Sequence, residues 1–214
     1  MLLTLLLLNA GPVTFERAPE WFDSRQAERV IDRIQSKLEW DLRKTTALFH
    51  ADAAEFKKSH TYGDSVVAYA DKVSSSIHLG PRVTKENFEA VFGHELAHLI
   101  VAQKYKQAIP EWLEEGLANY VGRHGQVDYA WLGGQKRPPV RELVHPFQAG
   151  RAPRLHYMLS TAAVEMLAAK CSFADLLQLS VGKKLESFLA TYCGISDLDG
   201  ELNRYLQTQS RAKK

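Results

Sequence analysis

The sequence predicts an α+β fold in which a small mixed β-sheet precedes a mainly helical C-terminal half. In the first 80 residues, short segments rich in Val, Ile, Thr and Tyr are separated by polar loops, as strands usually are. From residue 84 onwards, apolar residues recur at the three- and four-residue spacing of helices. The chain has 214 residues, of which 45% are hydrophobic, and this suffices for a sizeable core.

Residues 1–14 are predicted to form a hydrophobic N-terminal segment, followed by a single domain over residues 15–214. Residues 2–8 contain six leucines and no charge, a run too short to span a bilayer as a helix. The run resembles the hydrophobic region of a secretion signal, so we expect an exported protein, either periplasmic or secreted. The alternatives are a buried first strand and a misassigned start codon in a cytoplasmic protein.

The N-terminal part of the domain, up to about residue 108, is predicted to hold an amphipathic helix over residues 18–42. Its apolar face is formed by Val30, Ile31, Ile34 and Leu38. Strands are predicted near residues 46–50, 65–71 and 76–80. The last two strands are separated by a loop rich in Asp, Lys and Ser, so they form a hairpin.

The helical part starts at about residue 109 and is predicted to contain a helix over residues 110–121 and another that begins near Tyr157. Three shorter helices are expected near residues 173–181, 185–192 and 197–208. Between the first two helices, residues 122–154 are predicted to be a long irregular stretch. Stretches of this length often form functional rims or lids.

A long helix is predicted over residues 84–105, with Thr84 as its N-cap, and it carries the run His94-Glu95-Leu96-Ala97-His98. Residues four apart lie on one helix face, so both imidazoles can bind the same metal ion. Glu95 lies beside that face and can take a proton from a metal-activated water. The run matches the H-E-x-x-H pattern of zinc proteases, although matches of five residues also arise by chance.

A third metal ligand is expected in the helix over residues 110–121, where Glu111, Glu114 and Glu115 are the competing carboxylates. Asn119 lies one turn after Glu115, on the same face. Its side-chain oxygen can accept the spare N–H of a metal-bound histidine.

The two motifs together resemble the gluzincin metallopeptidases, which include thermolysin and the zinc aminopeptidases. The second motif, Pro110-Glu111-Trp112-Leu113-Glu114-Glu115-Gly116-Leu117-Ala118-Asn119-Tyr120, is most similar to the bacterial peptidase MA-like domains, with their Pro-x-Trp-Leu-x-Glu-Gly-x-Ala-x-Tyr signature. The resemblance implies a zincin-like fold, Zn²⁺ as the metal, and Glu115 as the third ligand, because the family's ligand directly precedes the glycine. Many gluzincins have Asp at the position of Asn119.

The resemblance also implies roles for a strand and for a helix start. Similar domains pack an edge strand on the metal helix and hold an extended substrate on it, a role that falls here to residues 65–71. They also carry a Tyr-x-x-Ser pattern that Tyr157 and Ser160 match. Tyr157 is therefore the candidate donor to an oxyanion, with His156 as the alternative. A packing role for Tyr157 is the competing interpretation.

The predicted function is that of a zinc-dependent metallopeptidase, a hydrolase in which His94, His98 and Glu115 bind zinc and Glu95 is the general base. Glu95 later delivers the proton to the leaving amine. Endopeptidase and aminopeptidase activities both stay open, although no Gly-x-Met-Glu-Asn motif is present. The alternatives are a catalytically weak zincin-fold binding or scaffold protein, a zinc amidase acting on cell-wall peptides, and a latent enzyme covered by residues 122–154.

The remaining features limit the partners. A net charge of +2 argues against nucleic acid as a partner. The predicted function implies a peptide or protein substrate, and no stable transmembrane span is expected. Cys171 and Cys193 form a disulfide if the chain is exported and are buried thiols if it is not. No role is assigned to five histidines that lack a partner at ligand spacing: His50, His60, His78, His124 and His145.

Overall fold

The computed structural model describes residues 7–105, 109–145, 150, 152–180 and 185–212. Within these ranges it has the predicted α+β architecture, with a small mixed sheet followed by a mostly helical C-terminal half. The chain divides into two compact units. The first consists of Met1–Lys104 and Val121–His124, and the second of Tyr105–Tyr120 and Gly125–Lys214.

The first unit contains a sheet whose described strands follow the order β1-β2-β3-β5-β4. The strands are β1 (Leu8–Ala10), β2 (Val13–Glu16), β3 (Thr45–Phe49), β4 (Ala68–Asp71) and β5 (Ser76–Leu79). The three central strands β2, β3 and β5 are parallel, and β1 and β4 are antiparallel to their neighbours. Buried and partly exposed residues alternate along β2, β3 and β5, which is typical of a sheet with one face in the core.

Strands β1 and β2 form a hairpin within and just beyond the hydrophobic N-terminal segment, and Leu8–Ala10 is the first strand that was one alternative for this segment. Leu8 pairs with Phe15, and Gly11 occupies the turn with a φ of +54°, a backbone conformation that favours glycine. The earlier part of the leucine run, residues 1–6, lies outside the described residues.

The core of the first unit lies between the sheet and helices α1 (Ser24–Leu38) and α3 (Phe88–Tyr105), whereas the short helix α2 (Ala53–Lys58) follows β3. The ring of Phe15 in β2 lies 5.3 Å from that of Phe92 in α3, measured between centroids. Helix α1 buries the predicted apolar face, Val30, Ile31, Ile34 and Leu38, and also Ala27.

Helices α1 and α3 are both shorter than predicted. The side chain of Asp23 caps the start of α1, and Glu39 ends it in a left-handed conformation, so the helix does not extend over residues 18–42. Thr84 does not act as the N-cap of α3, which begins at Phe88. The backbone N–H of Thr84 donates to the Asn87 side chain in the turn that precedes the helix.

The second unit is helical in its described part. Its helices are α4 (Glu111–Gly122), whose last two residues belong to the first unit, α5 (Tyr129–Gly133), α6 (Pro153–Ala168), α7 (Phe173–Ser180), α8 (Leu185–Cys193) and α9 (Leu198–Ala212). Helix α6 contacts α5, α9 and a 3₁₀ turn at Val140–Glu142, and α7 contacts α8. No helix among the described residues is both long and apolar enough to cross a membrane.

Two expectations for the second unit are settled by the structure. Residues 122–154 are not irregular throughout, because they contain α5 and the 3₁₀ turn, although residues 146–149 and 151 lie outside the described part. Cys171 and Cys193 form a disulfide that links the segment between α6 and α7 to the end of α8.

Candidate metal centre

Helix α3 presents His94 and His98 on one face, as their four-residue spacing requires. Their Nε2 atoms are 3.1 Å apart, and the two residues are only 9% and 8% exposed. Two nitrogens bound to one tetrahedral zinc ion lie about 3.4 Å apart. The imidazole pair is therefore close to chelating geometry. Glu95, between the two histidines in sequence, is partly exposed.

Two glycines allow a close backbone contact at the start of this motif. A Cβ atom on Gly122 would lie 2.7 Å from the backbone nitrogen of His94, and one on Gly93 would lie 3.1 Å from the Cα of Gly122. Any larger residue at Gly122 would push the end of α4 away from α3. Because neither position has a side chain, the end of α4 can pack closely against the backbone of His94.

Helix α4 carries Glu115, which is only 4% exposed. The neighbouring Gly116 packs against α6, because a Cβ atom there would lie 2.1 Å from the carbonyl oxygen of Ser160. The Nε2 atom of His145 lies 3.2 Å from Oε1 of Glu115. The carboxylate is therefore held inside the second unit by helix packing and by an imidazole.

His94, His98 and Glu115 form one group of potential metal ligands. One ligand atom from each side chain lies within 4.8 Å of the other two, and all three residues are buried. In the part of the chain that the structure describes, no other group of three or more His, Cys, Asp or Glu meets this criterion. Of the three competing carboxylates, Glu115 is the one in the group, whereas Glu111 accepts the backbone N–H of His145.

The donor set fits a catalytic zinc ion. Two imidazole nitrogens and one carboxylate are the protein ligands of such sites, and they leave a position open for water or substrate. A buried acceptor adds to the fit. Asn119 is 1% exposed and donates from Nδ2 to Thr161 Oγ1 at 2.8 Å, while its Oδ1 has no hydrogen-bond partner among the described residues.

The predicted hydrogen bond from a metal-bound histidine to Asn119 stays a prediction, and the acceptor that it requires is buried. A buried acceptor without a donor costs about 1–3 kcal/mol. A ring N–H of a metal-bound histidine would satisfy it.

The two candidate oxyanion donors lie in the first turns of α6. The side chain of Tyr157 is partly buried, with Cε1 3.8 Å from where a Cβ atom of Gly125 would be. The Nδ1 atom of His156 accepts the backbone N–H of Val144 at 3.2 Å. Neither residue belongs to the ligand group, so their catalytic roles stay predictions.

Two histidines to which the sequence analysis assigned no role have a partner among the ligands. His145 contacts Glu115, as described above, and the ring of His124 lies 4.9 Å from that of His94 between centroids. Burial lowers the pKa of His124 below its ordinary value. No short-range spacing indicates either contact, because each pair is far apart in sequence.

A second histidine pair lies in the first unit, where the sequence analysis expected none. The Nε2 atom of His50 is 2.9 Å from Nδ1 of His78, and the other ring nitrogen of His78 is 3.1 Å from Ser76 Oγ. Burial lowers the pKa of both histidines. The ring of Tyr69 stacks on His78 at 4.5 Å.

A scan against protein-family models gives no match, and a comparison with curated proteins gives none either. The similarity to gluzincins is a similarity of sequence motifs.

Proposed function

We propose that this chain is a zinc-dependent metallopeptidase with a zincin-like fold. The observation that carries the proposal is the buried group of His94, His98 and Glu115, whose ligand atoms lie within 4.8 Å of one another. Glu95 adjoins this group in the H-E-x-x-H run and is partly exposed, so its carboxylate can take part in proton transfer.

His94, His98 and Glu115 would hold the metal. Bound Zn²⁺ would supply Lewis-acid chemistry, polarising the scissile carbonyl and making water acidic. Glu95 accepts the proton of the attacking water and delivers it to the leaving amine. Tyr157, or His156 as the alternative, donates a hydrogen bond to the oxyanion that develops on the carbonyl.

The peptide substrate is proposed to bind along strand β4. This strand lies at one edge of the described sheet and pairs with β5 on one side. Its other side can therefore accept an extended chain by strand addition. Main-chain hydrogen bonds of this kind tolerate many side chains, which suits a peptide or protein substrate.

We also propose that the protein is exported, either to the periplasm or out of the cell. The disulfide between Cys171 and Cys193 supports it, because such bonds persist in oxidising compartments.

Replacing Glu95 with Gln tests the proposed chemistry, because the amide cannot accept the proton of water. We expect Glu95→Gln to bind one zinc per chain like the wild type and to hydrolyse quenched-fluorescent peptides about 10²–10⁴ times more slowly. Glu89→Gln is the matched control, since Glu89 lies on the same helix and its side chain is 42% exposed.

Wild-type activity in Glu95→Gln would contradict the mechanism. A zinc-loaded wild type that hydrolyses no peptide in a broad panel would favour the alternative of a binding or scaffold protein. Hydrolysis confined to cell-wall peptides would favour the amidase.

A further inference from the structure

The segment Leu143–His145 lies between the 3₁₀ turn and the undescribed residues 146–149, and it is attached to two helices of its own unit. The backbone N–H of Val144 donates to Nδ1 of His156 in α6 at 3.2 Å. The backbone N–H of His145 donates to Oε2 of Glu111 in α4 at 3.3 Å. Two consecutive backbone groups thus fix the position from which the His145 side chain extends.

From that position the His145 ring reaches Glu115, with Nε2 3.2 Å from Oε1. The carboxylate side chain is 5% exposed and the imidazole is 32% exposed, so the histidine lies between the buried acid and solvent. Removing the partner of a buried charge is more costly than removing the partner of an exposed one. The contact therefore matters more than an ion pair on the surface, which contributes little.

We propose that His145 is a positioning residue for the metal centre, which orients Glu115 by donating a hydrogen bond to Oε1 of its carboxylate. This inference rests on the proposed function, since it assumes that Glu115 is a ligand. Both the neutral ring with its proton on Nε2 and the imidazolium donate from that atom, so the role does not depend on charge.

A positioning residue is useful here because a carboxylate group can rotate. Unrestrained, the Glu115 group rotates about its last bond and presents either oxygen, and metal binding must then fix it. A donor that holds one oxygen in advance removes part of this cost. Hydrogen bonds to metal ligands typically change metal affinity by about 10–100-fold when they are removed.

The test compares His145→Ala, His145→Gln and His145→Asn with the wild type in zinc affinity, measured by competition with a chromogenic chelator. We expect His145→Ala to bind zinc about tenfold more weakly, at the lower end of the usual range because the ring is partly exposed. His145→Gln should restore affinity to within about threefold, because its amide N–H reaches as far as Nε2. The shorter Asn should not restore it.

His60→Ala is the control for loss of an imidazole elsewhere in the chain, and it should leave the zinc affinity unchanged. The visible spectrum of the Co²⁺-substituted protein gives a second measurement that reports on ligand geometry. It should be altered in His145→Ala and His145→Asn and recovered in His145→Gln. If the alanine variant does not fold, the comparison of Gln with Asn carries the test.

Wild-type zinc affinity in His145→Ala, or failure of Gln to restore it, would overturn the positioning role and leave the three ligands in place. A wild-type protein that binds no zinc would instead overturn the proposed function. The two failures are therefore distinguishable.

Discussion

The described part of the molecule contains two close histidine pairs with nearly the same contact distance and different surroundings. In α3 the Nε2 atoms of His94 and His98 are 3.1 Å apart, and in the sheet His50 Nε2 is 2.9 Å from His78 Nδ1. The first pair has the carboxylate of Glu115 within reach, so three ligand atoms come together. The presence of a third potential ligand therefore distinguishes the first pair from the second.

The groups around the second pair bind to each other. Nε2 of His78 contacts Ser76, whose hydroxyl contacts that of Ser74, and Ser74 donates to Asp71. These polar atoms form a continuous chain of hydrogen bonds.

A carboxylate near the other end of the pair is already engaged. Glu55 lies 3.9 Å from Nδ1 of His50 and is bound by Arg17. A guanidinium on this carboxylate opposes its use as a metal ligand, so the second pair is a structural contact between β5 and the residue after β3.

The comparison predicts that removing one histidine weakens zinc binding strongly in the first pair and leaves it nearly unchanged in the second. We expect His98→Ala to weaken zinc binding at least about a hundredfold, because it removes one of three ligands. His78→Ala should leave the zinc affinity within about twofold of the wild type, since no ligand is lost. Calorimetric titration of both variants measures the difference. Equal losses would show that the second pair also binds zinc and would break the comparison.

A smaller effect is expected in the pH dependence of stability. Burial is the largest cause of the lowered pKa of both His50 and His78; Glu55 and Asp71 oppose it, and His60 adds to it. A histidine whose pKa is lowered by folding binds more protons in the unfolded chain. Its stabilising contribution is thus complete above its ordinary pKa of 6.5 and is lost as the pH falls through the lowered value.

We therefore expect the free energy of unfolding in a chelator-containing buffer to fall as the pH is lowered from about 7 to about 5. The His78→Asn variant should show a weaker dependence, because its amide can still contact His50 but does not titrate. Urea unfolding at several pH values measures this. The same slope in both proteins would mean that the pair contributes nothing to it.

Elements with a strong local pattern were predictable from the sequence. Strands near residues 46–50, 65–71 and 76–80 and the helices of the C-terminal half form close to the expected positions, because alternation and helical spacing are local properties. The proximity of His94 and His98 follows from helix geometry alone. Helix ends were predicted less well, since the cap at Asp23 and the left-handed Glu39 override the apolar pattern.

Contacts between distant segments were not predictable. The leucine run indicated a secretion signal more strongly than the hairpin of β1 and β2, since a three-residue strand is too short to show an alternating pattern. The contact of His145 with Glu115 depends on the attachment of Val144 and His145 to two helices. Likewise, the amide of Asn119 bonds to Thr161, a partner supplied by another helix.

The most direct test of the central claim is the zinc content of the purified wild type beside that of Glu115→Ala, measured by elemental analysis after loading and desalting. We expect about one zinc per chain in the wild type and little in the variant, because two imidazoles hold zinc much more weakly than the complete set of three ligands. No zinc in the wild type, or unchanged zinc in Glu115→Ala, would contradict the proposed metal centre.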